Sequence, residues 1–373
     1  MRYAIKERLE DFIVEEVLPA GLLREKGSYA IFLLEKKGRN TEDVLGEMAK
    51  VLHVQRKYLG YCGNKDRNAV TRQYVSVRKD QVASMDKAVL KVNALRNVGI
   101  TPHGSAEQPL SLGDLEGNRF SIIVRGLKKT FDSESFQKMA ERAVEFIPNY
   151  FDEQRFSKNN AAIGKLLVHK QFKDATMLIC SAEGTYEQQI KAYLQDQRHK
   201  NDSVGALQLI PKKTLQLFVH AYQAYLFNET LSRVLERKAG KNSLKSVPYS
   251  LGRFVFLKEL TEQRMTFLKK GCAGKHVPLI GFDMRWDECD GELQKILQKI
   301  MRREGITERE FIIRELPFLT SEGGTRSLFI SITDFKIEGP EPDEIHPGKK
   351  KVLLSFFLAK GSYATIVIKG VFL

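Results

Sequence analysis

The sequence has few cysteines and no long apolar run, and each absence excludes a class of protein. Its four cysteines are far apart and form no C-x-x-C pair, so neither a disulfide framework nor a structural zinc site is expected. No segment approaches the roughly 18–20 apolar residues that span a membrane. The first residues mix acidic with apolar side chains, unlike a signal peptide. We therefore expect a cytoplasmic protein with reduced thiols at Cys62, Cys180, Cys272 and Cys289.

Acidic residues are too few to balance the basic ones. Sixty Lys and Arg stand against 46 Asp and Glu, which gives a formal net charge of +14. Net charge does not choose a fold, but it favours polyanionic partners, because each neutralised phosphate releases condensed counterions. Nucleic acid is therefore the expected partner, and a generally basic surface is the alternative. The 373 residues suffice for two or three domains, at about 100–200 residues per domain.

The order of strand and helix patterns indicates an α+β protein. Strand patterns occupy both ends of the chain, whereas helical patterns dominate from about Lys158 to Leu316 and clear alternation is rare there. Thr41 is expected to be the N-cap of a helix that follows the first long strand. The predicted strands are Tyr29–Leu34, Gln73–Val77, Phe120–Val124, Ser327–Ile337, Val352–Phe357 and Ala364–Ile368.

The late strands are expected to pair with the early ones, because lone hairpins are marginal in water. This pairing predicts one mixed or antiparallel sheet domain built from both chain ends, over residues 1–157 and 318–373. Residues 158–317 would then form a mainly helical domain inserted between the two halves.

One short segment, GNKDRNAVTRQ from Gly63 to Gln73, concentrates charge around a single acid. Asp66 stands between Lys65 and Arg67, and a carboxylate among cations stays ionised. Such a group is a poor general acid, but it is suited to act as a nucleophile or to stabilise developing positive charge. The pattern alone favours a simpler interpretation, a solvated turn between two strands.

The segment around Asp66 resembles the catalytic motif of the TruD family of tRNA pseudouridine synthases. The resemblance extends along the whole chain, because further blocks follow in the family's order. These blocks are IKERLEDFIVEE (Ile5–Glu16), KKGRNT (Lys36–Thr41), LGDLEGNRF (Leu112–Phe120), PNYFDEQRF (Pro148–Phe156), HAYQAYLFN (His220–Asn228) and LSFFLAKGSYAT (Leu354–Thr365).

The resemblance implies the pseudouridine synthase fold for the sheet domain and an isomerase that acts on tRNA, at position 13. Such enzymes break the bond between uridine N1 and ribose C1′, rotate the base and rejoin it through C5, with no metal and no organic cofactor. Asp66 would be the catalytic carboxylate, which either attacks the sugar or base or abstracts a ribose proton. Nothing in the sequence demands more than a monomer. A non-catalytic RNA-binding protein or chaperone of the same fold is the alternative. A metal-dependent nuclease would need clustered carboxylates for Mg²⁺, whereas Asp66 stands among cations.

The resemblance also suggests residues that bind the substrate, each with a structural alternative. Phe120 would stack on the uracil, or it is a core residue of its strand. Asn118 would hydrogen-bond the base or its loop, or it is a turn residue. Lys65 and Arg67 would pair with Asp66 or hold phosphate, or they are solvated charges. Lys6 matches a basic residue of the family, in a role left open, and further candidate basic partners are Arg326 and Lys369.

Overall fold

The computed structural model describes residues 3–82, 84–156, 159–181, 185–258, 261–262, 266 and 275–372 of the chain. These residues form two compact units. The first contains the described residues of Met1–Glu145 and Ser331–Ala364 together with Phe372, and the second contains those of Phe146–Ile330 and Thr365–Val371. Residues 157 and 158, where the sequence predicts a domain boundary, lie outside the described residues, and so does Cys272.

Strands predominate at the two ends of the described chain, and six helices follow one another in its middle. The strands are β1 (Phe12–Val17), β2 (Tyr29–Lys37), β3 (Leu59–Tyr61), β4 (Val70–Arg78), β5 (Val98–Ala106), β6 (Gly117–Leu127), β7 (Leu244–Tyr249), β8 (Gly252–Leu257), β9 (His276–Leu279), β10 (Gly324–Ser327), β11 (Ile332–Pro342) and β12 (Lys350–Ala359). The helices are α1 (Thr41–Leu52), α2 (Met85–Asn93), α3 (Ser133–Ala143), α4 (Asn160–Val168), α5 (Phe172–Cys180), α6 (Thr185–Gln195), α7 (Ser203–Gln208), α8 (Lys212–Ala239), α9 (Gly291–Glu304) and α10 (Ala364–Phe372).

A mixed sheet organises the first unit. Its strand order is β11-β12-β6-β1-β4-β2-β5, and β3 pairs with β4 beside this path. The pairing of β1 with β4 is parallel and the other pairings are antiparallel. The late strand β12 pairs with the early strand β6, for example at Leu354 and Ile122. The predicted α+β class and the pairing of late with early strands are therefore confirmed.

The alternation of β2 determines which side chains reach the core beneath α1. Ala30, Phe32 and Leu34 are buried in one cluster with residues of α1 and α2. Because alternate residues of a strand share a face, the next residue on that face is Lys36. Helix α1 begins at Thr41 and its N-cap is Asn40, so the prediction of Thr41 as the N-cap is wrong by one residue. The Thr41 hydroxyl instead donates to the buried side chain of Gln73 in β4.

The long helix α8 is the centre of the second unit. Its residues share a core with α4, α5 and α9. Gly164 allows α4 to approach closely, because a Cβ there would lie 1.9 Å from the carbonyl oxygen of Phe218. The middle of the chain also contains three strands that were not predicted: β7 pairs with β8, and β9 pairs with the later strand β10.

Of the predicted strands near the end of the chain, Ala364–Ile368 is wrong and Ser327–Ile337 is correct only in part. Ala364–Ile368 lies in helix α10, where Ile366, Val367 and Ile368 are all fully buried. A helix satisfies its own backbone hydrogen bonds, so it can be buried on every side without neighbouring strands, despite β-branched residues. The predicted strand Ser327–Ile337 is divided, because β10 ends at Ser327 and pairs with β9, whereas β11 begins at Ile332 and pairs with β12.

The described residues lack two features that are typical of other classes of protein. None of their helices is long and apolar enough to cross a membrane. In the same ranges, no group of three or more His, Cys, Asp or Glu side chains is placed to hold a metal ion. Cys62, Cys180 and Cys289 are free thiols.

A buried ion cluster joins three segments of the first unit. The guanidinium of Arg125 in β6 lies 2.7 Å from Asp11 and 3.0 Å from Asp343, and all three side chains are almost fully buried. Burial alone would raise the pKa of Asp343, but hydrogen bonds from the Gly126 and Ile345 amides and from Arg125 lower it. The contribution of Asp343 to stability is therefore complete at neutral pH and is lost as the pH falls below the ordinary Asp value of about 4.

We expect Asp343→Asn to lower the free energy of unfolding by about 3–5 kcal/mol at neutral pH. The substitution removes one of the carboxylates that neutralise buried Arg125. It also places an amide NH₂ group where the Arg125 guanidinium and the Gly126 amide already donate. Urea denaturation measures the change. The matched control is Asp334→Asn, which weakens the exposed ion pair with Arg119 and should cost no more than about 1 kcal/mol. Equal losses in the two variants would contradict this account of the cluster.

Candidate active site around Asp66

Asp66 lies on the connection between β3 and β4, and its carboxylate is paired with a residue distant in sequence. Lys6 Nζ lies 2.9 Å from Asp66 Oδ2, and their side chains are 24% and 30% exposed. Lys6 adopts a left-handed backbone with φ of 61° and its ammonium also lies 4.0 Å from the centre of the Phe12 ring. A non-glycine residue in that region is uncommon and is often found at functional sites. The basic partner of Asp66 is therefore Lys6.

Three buried polar side chains hold the backbone of the Asp66 connection. Lys36 Nζ donates to the carbonyl oxygens of Asp66 at 3.0 Å and of Lys65 at 3.4 Å, as well as to Arg39 at 2.8 Å. The Thr41 hydroxyl accepts from the Lys65 amide at 3.1 Å. The Gln73 amide donates to the Gly63 carbonyl at 3.2 Å. We call residues 63–66 the Asp66 loop; Lys36, Thr41 and Gln73, which are fully buried, are its anchors.

Lys36 was not selected as a site residue from the sequence, although a signal was present. It belongs to the block KKGRNT and continues the buried face of β2 that carries Phe32 and Leu34. A lysine is almost never fully buried without partners, so its position on an apolar face is informative. Burial lowers the pKa of Lys36 to about 8, and the nearby Asp66 carboxylate limits that decrease.

Lys65 does not pair with Asp66, which corrects one of the roles expected for it. Its ammonium lies 2.7 Å from Oε1 of Glu16 in β1 and donates to Asn118 Oδ1 at 2.5 Å. The other carboxylate oxygen of Glu16 accepts from the Tyr74 amide at 2.8 Å. Glu16 is fully buried and therefore needs a cation, whereas Asp66 is partly solvated. The sequence analysis did not select Glu16.

Lys65 also determines how the amide of Asn118 is oriented. An ammonium only donates hydrogen bonds, so it must face the amide oxygen, and the NH₂ group then points away from it. Among the described residues, that NH₂ group has no hydrogen-bond partner. Asn118 therefore keeps a donor for a ligand, which is compatible with the predicted role in binding the base.

Phe120 lies two residues further along β6, in a stack of aromatic rings. Its ring centre is 6.1 Å from that of Phe12, edge to face, and 5.6 Å from that of Phe356, in a stacked arrangement. Only 7% of Phe120 is exposed. Phe120 is thus a core residue of its strand, and a contact with uracil would use only the small part of its surface that reaches solvent.

The remaining predicted basic residues are not close partners of Asp66. Arg67 is exposed, and no ion pair of Arg67 occurs within the residues that the structure describes. Arg326 donates to the carbonyl and the side chain of Asn149, and Lys369 binds Asp152. Both belong to the second unit, so their expected pairing with Asp66 is replaced by partners of that unit.

Comparisons with known proteins agree on one family. A family model described as tRNA pseudouridine synthase D (TruD) matches residues 1–192 and 181–371. A probable tRNA pseudouridine synthase D 2 of Methanocaldococcus jannaschii is 32% identical, over 99% of this chain and 91% of its own. The tRNA pseudouridine synthase D of Aquifex aeolicus is 27% identical, over 100% of this chain and 98% of its own. A crystal structure of a putative tRNA pseudouridine synthase D from Methanosarcina mazei shares the fold, with a TM-score of 0.66, 24% identity and coverage of 98% and 92%.

The two lysines near Asp66 should differ sharply in their effect on stability. Lys65→Met removes the cation from buried Glu16 and should lower the free energy of unfolding by about 3–5 kcal/mol. Lys6→Met removes a partly exposed ion pair and should cost about 1 kcal/mol or less. Urea denaturation of both variants tests the contrast, and a larger loss for Lys6→Met would show that the two ion pairs are wrongly ranked.

Proposed function

We propose, since the chain belongs to the tRNA pseudouridine synthase D (TruD) family, that it isomerises uridine to pseudouridine in tRNA with Asp66 as its catalytic carboxylate. The observation that carries this proposal is the Asp66 side chain itself. It is ion-paired with Lys6, partly open to solvent and attached to a loop whose backbone is held by buried anchors. Position 13 of the tRNA is the proposed target.

The reaction needs a carboxylate that is ionised and held in place. The N1–C1′ bond of uridine breaks and a C5–C1′ bond forms, while C5 loses a proton and N1 gains one, so that no co-reactant is consumed. Asp66 acts either by attacking the sugar or base or by taking a ribose proton, and both roles begin from the carboxylate. The Lys6 ammonium forms an ion pair with the Asp66 carboxylate at 2.9 Å. The anchors of the Asp66 loop limit its motion, and an attacking group displaced by 1 Å can lose a hundredfold in rate.

The base is bound on one face of β6. The Asn118 NH₂ group, directed away from Lys65, donates to a carbonyl oxygen of uracil. The exposed part of the Phe120 ring contacts the uracil ring. Phe12 and Phe356 pack against Phe120 and hold its ring in place. Lys65 pairs with Glu16 and holds the Asn118 side chain in this orientation. The exposed side chain of Arg67 binds a phosphate of the RNA. A target uridine stacked in folded RNA must first be extruded, which costs a few kcal/mol that these contacts offset.

Asp66→Asn tests the catalytic role. We expect pseudouridine formation on a tRNA transcript to fall by at least about a thousandfold, because an amide can neither attack nor accept the proton. Uridine-specific chemical mapping measures the product and its position. The affinity for tRNA should change little, because the side chain keeps its size.

The matched control is Asp86→Asn, which changes an exposed acid in the first turn of α2 and should leave activity at the wild-type level. Full activity of Asp66→Asn would refute the proposed mechanism. If the wild-type protein binds tRNA but forms no pseudouridine on any transcript, the chain is a non-catalytic RNA-binding protein.

The excess of positive charge predicts a strong dependence of RNA binding on salt. The logarithm of the association constant should fall linearly with the logarithm of the salt concentration, because binding releases counterions from neutralised phosphates. Fluorescence anisotropy with a labelled tRNA, at several salt concentrations, gives the slope. A flat line would show that the net charge of +14 is not used on phosphates.

A further inference from the structure

The ammonium of Lys36 is placed to act on Asp66 through the backbone. It is fully buried, and its donors match three carbonyl oxygens, those of Arg39, Lys65 and Asp66. Two of these carbonyls belong to the Asp66 loop. A neutral amine has two N–H donors, so loss of the proton leaves one of the three acceptors without a donor.

The charges around Lys36 come from the same loop. The Asp66 carboxylate attracts the Lys36 ammonium, and the Lys65 ammonium repels it. The residues paired with Lys36 on the neighbouring strands, Thr71 and Val98, carry no charge. Burial is the largest influence and lowers the pKa of Lys36 to about 8. At neutral pH the group is therefore mostly charged, and a modest rise in pH removes the charge.

We propose that Lys36 is a positioning residue whose protonated side chain keeps the Asp66 loop in its reactive geometry, so that deprotonation of Lys36 slows the reaction. This inference rests on the proposed catalytic role of Asp66. Lys36 does not touch the reacting atoms; it holds the peptide units that carry them. Loss of its charge also removes a cation from the neighbourhood of the Asp66 carboxylate.

Activity and stability should respond to alkaline pH in opposite directions. As the pH rises above about 8, the folded protein loses the Lys36 proton and with it one of the three hydrogen bonds that Lys36 donates, so kcat falls. The unfolded chain holds that proton up to about pH 10.5, so it binds more protons than the folded chain between the two values. Stability from this group therefore rises across the window in which activity declines.

The first experiment compares Lys36→Met with Lys37→Met. Both replace the ammonium by an apolar side chain of similar length, but Lys37 is exposed at the end of β2 and serves as the control. We expect kcat of Lys36→Met at pH 7 to fall on the order of 10- to 100-fold, with an unchanged Kd for tRNA. The decrease of kcat near pH 8 should be absent from Lys36→Met and present in Lys37→Met.

Two results would overturn the inference: a wild-type kcat in Lys36→Met, or an alkaline decrease of kcat that keeps its midpoint in that variant. Asp66→Asn separates this inference from the proposed function. If that variant is inactive while Lys36→Met is fully active, only the role of Lys36 is wrong. If Asp66→Asn is active, the catalytic assignment itself fails.

A second measurement uses the wild-type protein and does not require Lys36→Met to fold. The Lys65 amide donates to Thr41 and reports on the loop, whereas the Ala88 amide in α2 is a control outside it. Hydrogen exchange is followed from pH 7 to pH 9. We expect exchange at Lys65 to accelerate relative to Ala88 as the pH passes about 8. A constant ratio of the two rates across that range would also overturn the inference.

Discussion

The polar backbone of the Asp66 loop needs hydrogen-bond partners that no strand or helix supplies. Buried amide and carbonyl groups are costly when unpaired, so the partners must come from side chains. Lys36, Thr41 and Gln73 provide them from β2, α1 and β4, all on one buried face of the sheet. The position of Asp66 therefore depends on the packing of α1 against the sheet as well as on the residues beside it. A side chain on a loop is in this way held by the regular elements around that loop.

The three lysines of the site have different partners because their surroundings differ. Lys6 pairs with a carboxylate that is partly in water, where the ion pair contributes little to stability and leaves Asp66 accessible. Lys65 pairs with Glu16, which is fully buried, so removing either partner would leave an uncompensated buried charge. Lys36 donates hydrogen bonds to backbone carbonyl oxygens and not to a carboxylate. These bonds offset only part of the cost of burying its charge, so the pKa of Lys36 is lowered. Lysines of the same type thus have different partners, a partly solvated carboxylate, a buried carboxylate and backbone carbonyls.

Much of the fold could be predicted from local patterns, and the exceptions have a common cause. Strands β2, β4, β6 and β12 have alternating or β-branched sequences, and each belongs along its length to the same sheet. Their sequence patterns therefore predicted their positions. Helix α10 has an equally strand-like sequence, but Ile366, Val367 and Ile368 in succession are fully buried, which favours a structure that pairs its own backbone. The segment Ser327–Ile337 has one alternating pattern, yet it begins at the end of β10, which pairs with β9, and ends in β11, which pairs with β12.

The sequence by itself determined the family, the α+β class and the segment in which the candidate acid lies, because these depend on residue types and their order. It could not determine which cation belongs to which acid. Lys65 is adjacent to Asp66 in sequence but pairs with Glu16, and Lys6, 60 residues away, pairs with Asp66. Only the tertiary structure decided these partners, because the choice depends on burial and on distances in space. A buried carboxylate needs its cation more than a solvated one does.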